Sequence, residues 1–266
     1  MWCLYTSGMN RAQRLLSIYD SLLGLGSPSG MKAADAWAKA LEIEGRKGER
    51  DGALARAMLA FQDEIDALTA QLVAAGIPQE CYHSQLRRLR DAAAPGTMRS
   101  SWDGLLGSVN PADVRLALLW SGAAPIAVEG AIPDEQLAAL GKLLDELDEG
   151  FAGAGLPPTM SEYAAMMLRS LREALELHRI KGTAPLRTAV QHAYGATVSM
   201  GDALAAEVPE ASPSARSYIG RVNSMITRAV VVCRDVDIVN KGGSAMVTMA
   251  EKLQIALNAI AGVIDG

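Results

Sequence analysis

Aromatic side chains are nearly missing from this chain. Two phenylalanines, four tryptophans and six tyrosines make up 5% of 266 residues, although half of the residues are apolar. A core must therefore be assembled from Ala, Leu, Val, Ile and Met. Small and unbranched side chains of this kind suit close helix–helix packing, and Ala and Leu lead the helix propensities. Cysteine is equally sparse. Cys3, Cys81 and Cys233 stand far apart, so no paired spacing for zinc exists and the odd count speaks against a disulfide framework. A reducing cytoplasm is the expected location. Positive charge is also wanting: with a net charge of −5 the chain has no global attraction to nucleic acid, which is not expected as a partner. The longest charge-free run, Leu116–Val128, is interrupted by Pro125 and falls short of the roughly 20 apolar residues of a membrane span. The N-terminus lacks the basic start and apolar stretch of a secretion signal. Met9, followed at once by an amphipathic pattern, reads as the native start, with residues 1–8 an upstream extension.

Alternating β-branched runs are absent too. The short run "AVVVC" (229–233) falls inside a helical period formed by Ile219, Val222, Ile226, Val230 and Cys233. What the chain does contain is helical periodicity. Leu54, Met58, Phe61, Ile65, Leu68 and Leu72 recur at steps of four and three over residues 50–75, and Gly76 and Pro78 end that helix. Leu137, Leu140, Leu144 and Leu147 repeat the pattern over 133–149, opened by Pro133 with Asp134 and Glu135 at the positive end of the helix dipole. Asn110-Pro111 opens a helix carrying Val114, Leu118 and Leu119. Met246, Met249, Leu253, Leu257, Ile260 and Ile264 form a last stripe. Further helices are expected at 10–23, 31–45, 79–93, 160–181, 184–195 and 214–234. Gly-, Pro- and Ser-rich breaks fall at 24–30, 94–104, 122–133, 153–159, 208–214 and 240–243. No repeat superposes at a fixed shift. The expectation is an all-α, compact bundle of nine or ten helices without a sheet. Its halves would be residues 9–125 and 131–266, or one continuous domain.

Most catalytic chemistries fail on inspection. A carboxylate-bridged di-iron bundle needs two Glu-x-x-His pairs, and only Glu80…His83 has that spacing. Cys81 and His83 would point to opposite sides of a helix, which reads as a half-buried cysteine beside a surface histidine. The acidic clusters "DELDE" (145–149) and "FQDEID" (61–66) read as solvated helix faces. No phosphate-binding glycine loop and no Gly-x-Ser-x-Gly elbow occurs. No metal or cofactor is expected.

The stretch "ELHRIKGTAPLRTAV" (176–190) concentrates the candidate binding residues: His178, Arg179, Lys181 and Arg187. Ahead of it, Thr159 and Glu162 have the spacing of a capping box. Arg179 and Lys181 fall where cations stabilise a helix end, Gly182 supplies a left-handed closing residue, and Thr183 with Pro185 restarts a helix. That punctuation accounts for most of the stretch. His178 on the apolar stripe and Arg187 near the junction are left over, as a structural histidine and capping cation or as contacts to a small anion or partner. The pattern "LPP…SLREALELHRIKGTAPLRTAVQHAYG" over residues 156–196 resembles a helical segment of uncharacterised bacterial proteins, some from mobile-element or defence neighbourhoods. The resemblance implies a bacterial cytoplasmic interaction protein and carries over no catalytic residue.

The functional expectation is a non-enzymatic helical protein that binds another protein or itself, as an accessory component of a defence or mobile-element system. The alternative is a helical-bundle enzyme or small-ligand carrier whose apolar cavity is walled by methionines of 160–167 and 246–249. Because the face opposite the stripe from Met246 to Ile264 carries only two charges, Glu251 and Lys252, before Asp265, a symmetric dimer through that helix or the helix at 50–75 is expected; the alternative is that residues 243–264 form a central helix of the monomer.

Overall fold

The computed structural model describes residues 8–44, 47–109 and 111–239. Among them are ten α-helices and no sheet: α1 (Arg11–Gly24), α2 (Ala33–Ala40), α3 (Lys47–Ala74), α4 (His83–Ala92), α5 (Trp102–Val109), α6 (Pro111–Ala123), α7 (Asp134–Phe151), α8 (Pro158–Lys181), α9 (Ala184–Glu207) and α10 (Pro213–Val239). None is long and apolar enough to cross a membrane. The methionine- and leucine-rich stripe of 246–264, and the dimer expected from it, lie outside the described residues. Two compact units result. The N-terminal unit runs through Glu129 and includes Arg179–Gly182; the C-terminal unit takes up Gly130–His178 and resumes at Thr183. A linear division of the chain therefore misses four residues at the end of α8 that group with the first unit.

In the N-terminal unit the heptad stripe is the core of α3. Leu54, Met58, Phe61, Ile65, Leu68 and Leu72 are all buried, and Phe61 meets Trp37 of α2 edge-on at 5.1 Å. Asn10 starts α1 with a reciprocal cap. Its side chain accepts from the Gln13 amide at 3.0 Å while the Gln13 side chain accepts from the Asn10 amide at 2.8 Å. Asn10 also donates to the Gly122 carbonyl, tying the start of α1 to the end of α6. Two expectations change here. Residues 79–93 are a 3₁₀ turn, Gln79–Cys81, followed by α4 from His83. And the break at 94–104 contains the start of α5, a helix that was not expected. Trp102 anchors it by donating to the Gly26 carbonyl at 2.8 Å.

The C-terminal unit packs α7–α10 around Met160, Tyr163, Met167, Leu144, Leu147, Ile219, Val222 and Ile226. Met160 and Met167 are fully buried in this core, and residues 246–249, the other methionines of the expected cavity wall, lie outside the described residues. Helix α9 continues twelve residues past the expected end at 195, through Gly195 and Gly201, because it is held in the core by Ala196 and Leu204. A buried polar trio crosses α8, α9 and α10. Tyr163 Oη lies 3.2 Å from Thr197 Oγ1 and 3.2 Å from Asn223 Oδ1, and Thr197 donates to the Ala193 carbonyl at 2.8 Å. Two hydroxyl hydrogens cannot fill three contacts. Turning the Asn223 amide over would use every hydrogen once, from Nδ2 to Tyr163, Tyr163 to Thr197 and Thr197 to the carbonyl. Burial pushes the Tyr163 phenol up to about 12, against a smaller lowering by Thr197, so it is neutral at pH 7.

The expected Thr159–Glu162 capping box is replaced by a remote cap. Helix α8 begins two residues earlier than expected, at Pro158, which puts Thr159 inside the helix, and the Glu207 carboxylate from the end of α9 accepts from the Thr159 and Met160 amides, each at 3.0 Å. Burial raises the Glu207 pKa, but bonds from the Thr159 side chain and the Thr159 and Met160 amides outweigh it, so the net shift is downward. A carboxylate lowered on folding adds stability above its unfolded pKa of about 4 and loses it as pH falls through the folded value. Glu207→Gln should therefore destabilise the protein by about 1 kcal/mol at pH 7, the scale of a lost cap. Denaturant titrations should show this gap closing at pH 3. A gap independent of pH would contradict the charged cap.

Candidate functional site

The last turn of α8 is where the sequence placed a binding site, and it is spent on ion pairs. Arg179 pairs with Glu42 and its Nη2 lies 3.4 Å from Ser21 Oγ. Lys181 pairs with Asp63 at 2.9 Å. Glu42 closes α2 in the left-handed conformation, with φ +57°. His178 and Arg187 are half-buried and belong to the C-terminal unit, so the four residues divide between the units two and two. Gly182 has the left-handed conformation its place requires, φ +64°.

At the carbonyl of Ile180, next to Lys181, lies the chemistry that sequence reading missed. Arg14 is 5% exposed, and its guanidinium makes four hydrogen bonds and one further ion-pair contact. Nε donates to the Ile180 carbonyl at 3.3 Å, and Nη1 faces the Met9 carbonyl at 3.3 Å and Glu129 Oε2 at 3.2 Å. Nη2 donates to Glu64 Oε2 at 3.3 Å and Glu129 Oε1 at 3.2 Å. Glu129 thus grips the guanidinium with both oxygens. Glu64, read as a solvated acid in "FQDEID", is 6% exposed instead, and Arg11 donates to it at 2.6 Å. The error came from assigning all of α3's acids to one face. Glu64 flanks the buried stripe, one turn from Phe61, where α1 covers it. Asp145 and Asp148 of "DELDE" do sit in exposed pairs, with Arg172. Two arginines and two carboxylates cancel at the Arg14 centre, and a saturated guanidinium has no donor left for an exogenous anion. Among the described residues no group of three His, Cys, Asp or Glu side chains could hold a metal ion.

One uncommitted surface among the described residues is a groove of about 580 Å³ in the N-terminal unit, between α6 and the segment leading into α4. Ile77, Tyr82, Leu116, Ala117, Trp120, Ala124 and Pro125 give it apolar walls; Cys81, Gln85, Asp113 and Ser121 add polar atoms. Trp120 is 69% exposed and Leu116 54%. The Ser121 hydroxyl is used internally, donating to the Ala117 carbonyl at 2.7 Å, and Asp113 lies 3.9 Å from Arg88. Cys81 is exposed, where a half-buried thiol was expected, because the 3₁₀ turn puts Tyr82 and not Cys81 into the core; His83 is exposed as expected. The buried Tyr82 hydroxyl has no hydrogen-bond partner among the described residues, and its pKa is raised first by burial and then by Cys81 and Glu80. Leu119, expected in the core, is 43% exposed on the same helix. A signal for this face was available: α6 is apolar on the side opposite Val114 and Leu118 as well, and a helix apolar all round is normally covered all round.

No protein-family model, curated protein or solved structure matches this chain.

A methyl group at Gly182 would collide with the Glu129 carboxylate and lie 2.9 Å from Arg14 Cζ. Gly76 has a similar φ of +72° but open space around it. Gly76→Ala should therefore cost only the left-handed penalty, about 1 kcal/mol. Gly182→Ala should cost at least about 2 kcal/mol more, because it also displaces a buried ion pair. Urea unfolding of the two variants side by side measures the difference, and equal losses would contradict the packing of Gly182 on Arg14.

Proposed function

We propose that this protein acts by binding rather than by catalysis, and that it recognises an amphipathic helix of a partner protein in the groove beside α6. The observation that carries the reading is Trp120, 69% exposed beside an apolar recess. Large apolar patches on soluble proteins mark interaction sites, and tryptophan dominates the energetics of such interfaces. Leu116, Leu119 and Trp120 stand at i, i+3 and i+4 on α6, the spacing by which one helix offers a ridge to another. Gln85 and Asp113 supply part of a polar rim. The resemblance of residues 156–196 to a helical segment of uncharacterised bacterial proteins, some from mobile-element or defence neighbourhoods, supports placing the protein as an accessory component of such a system, in the cytoplasm. A second reading, a small-ligand carrier, draws on the groove's volume of about 580 Å³, which falls in the range of ligand pockets.

Panning a displayed library of amphipathic helical peptides against the full-length protein tests the first reading. Selected peptides should carry apolar residues at i, i+3 or i+4, and i+7. Trp120→Asp should weaken them at least tenfold at an unchanged melting temperature, since the substituted side chain is on the surface. Peptides that bind the variant equally well, or none selected, would overturn it. Native mass spectrometry that finds a small molecule retained by the wild type and lost from Leu116→Trp would replace it with the second reading.

A further inference from the structure

The C-terminal unit carries a groove of different chemistry. It lies between α7 and α10 and encloses about 490 Å³. Its floor is apolar, made by Leu143, Leu147, Met225 and Val231, of which Leu147 and Met225 are almost fully buried and Val231 is 38% exposed. Two arginines line it, Arg221 and Arg228, with the hydroxyls of Ser224 and Thr227. Glu146 is the one carboxylate of the lining, and Lys142 faces it at 3.9 Å. Among the described residues neither arginine forms an ion pair, so the groove is cationic above a greasy floor. Residues 221, 224, 225 and 228 follow the i, i+3, i+4, i+7 pattern, which aligns both arginines on one face of α10 over roughly 10 Å.

Arg221 is also held in place. Its guanidinium lies over the Tyr218 ring, 5.3 Å from the centroid. Tyr218 is fixed in turn, donating to the Leu147 carbonyl at 2.7 Å and meeting Phe151 edge-on at 6.1 Å. Gly150 leaves room for this stack, because a Cβ there would approach Arg221 Nη2 to 3.4 Å and Tyr218 to 3.6 Å. A cation seated on an aromatic ring loses less freedom when it takes a ligand than one moving in solvent. A bare inorganic anion would leave the floor uncovered, and an uncharged apolar molecule would leave the arginines unused.

We propose that the α7–α10 groove binds one molecule of an anionic amphiphile, an acid head group on an apolar chain, with Arg221 contacting the head group and the chain lying along Leu143, Met225 and Val231. This site is separate from the α6 groove and does not depend on the reading of it.

Isothermal titration of the full-length protein with monomeric decanoate, and with decyltrimethylammonium as the cationic counterpart, tests it. Decanoate should bind one to one and at least tenfold more tightly than the cation. Arg221→Gln should weaken decanoate at least tenfold without changing the cation's binding, and Ser224→Trp, which fills the groove from an exposed position, should abolish both. Trp120→Asp should leave decanoate binding unchanged. Equal affinity for the two probes, indifference to Arg221→Gln, or loss on Trp120→Asp would overturn the proposal. So would binding to phosphatidylglycerol vesicles without binding to monomeric decanoate.

Discussion

A buried guanidinium constrains the N-terminal unit more tightly than any apolar contact in it. Arg14 lies inside that unit, and leaving such a charge unpaired would cost several kcal/mol. Each of its hydrogens therefore needs an acceptor, and the acceptors come from separated parts of the chain: the Met9 carbonyl, Glu64 on α3, Glu129 after α6, and the Ile180 carbonyl in the last turn of α8. Hydrophobic burial can be satisfied by many arrangements of similar volume. Four directed hydrogen bonds and a further ion-pair contact to one planar group cannot. This requirement explains why residues 179–182 group with the first unit, and why position 182 is a glycine lying against the Arg14–Glu129 pair.

The same centre decides how the conspicuous stretch at 176–190 is understood. Its cations looked like the lining of an anion pocket. Arg179 and Lys181 answer acids of α2's end and α3, while the nearby Arg14 is already saturated. Charges engaged within the fold in this way position a helix end. Apolar groups and cations without such engagement line the face of α6 around Trp120 and the groove along α10. The two differ in sign and polarity, and the two proposals assign them different classes of ligand.

The helices were legible wherever apolar spacing ran for three turns or more. The stripes of α3, α7 and α10 are buried almost residue for residue as expected. Short elements were not legible. Helix α5 has two glycines in eight residues and depends on Trp102 reaching the Gly26 carbonyl, a contact between positions far apart in sequence. Buried polar groups were the larger blind spot. Arg14 and Glu64 look like ordinary surface charges when each is read on its own helix, because only their juxtaposition makes burial affordable. The Glu207 cap on α8 escaped for the same reason: the local Thr159…Glu162 spacing offered a nearer answer, and tertiary packing chose a distant one. The α6 groove was written in the chain as the charge-free run from Leu116, but there it was weighed only against a membrane span.

The most direct measurement of the organising role of Arg14 is a denaturant-unfolding comparison of Arg14→Met with a triple variant, Arg14→Met, Glu64→Gln and Glu129→Gln. If the buried guanidinium holds the N-terminal unit together, Arg14→Met alone should cost about 3–5 kcal/mol, because Glu129 loses its bidentate partner and buried Glu64 is left with Arg11. The triple variant, which removes both carboxylate charges as well, should recover a substantial part of that loss. A loss under about 1 kcal/mol for Arg14→Met, or a triple variant no more stable than the single one, would contradict it.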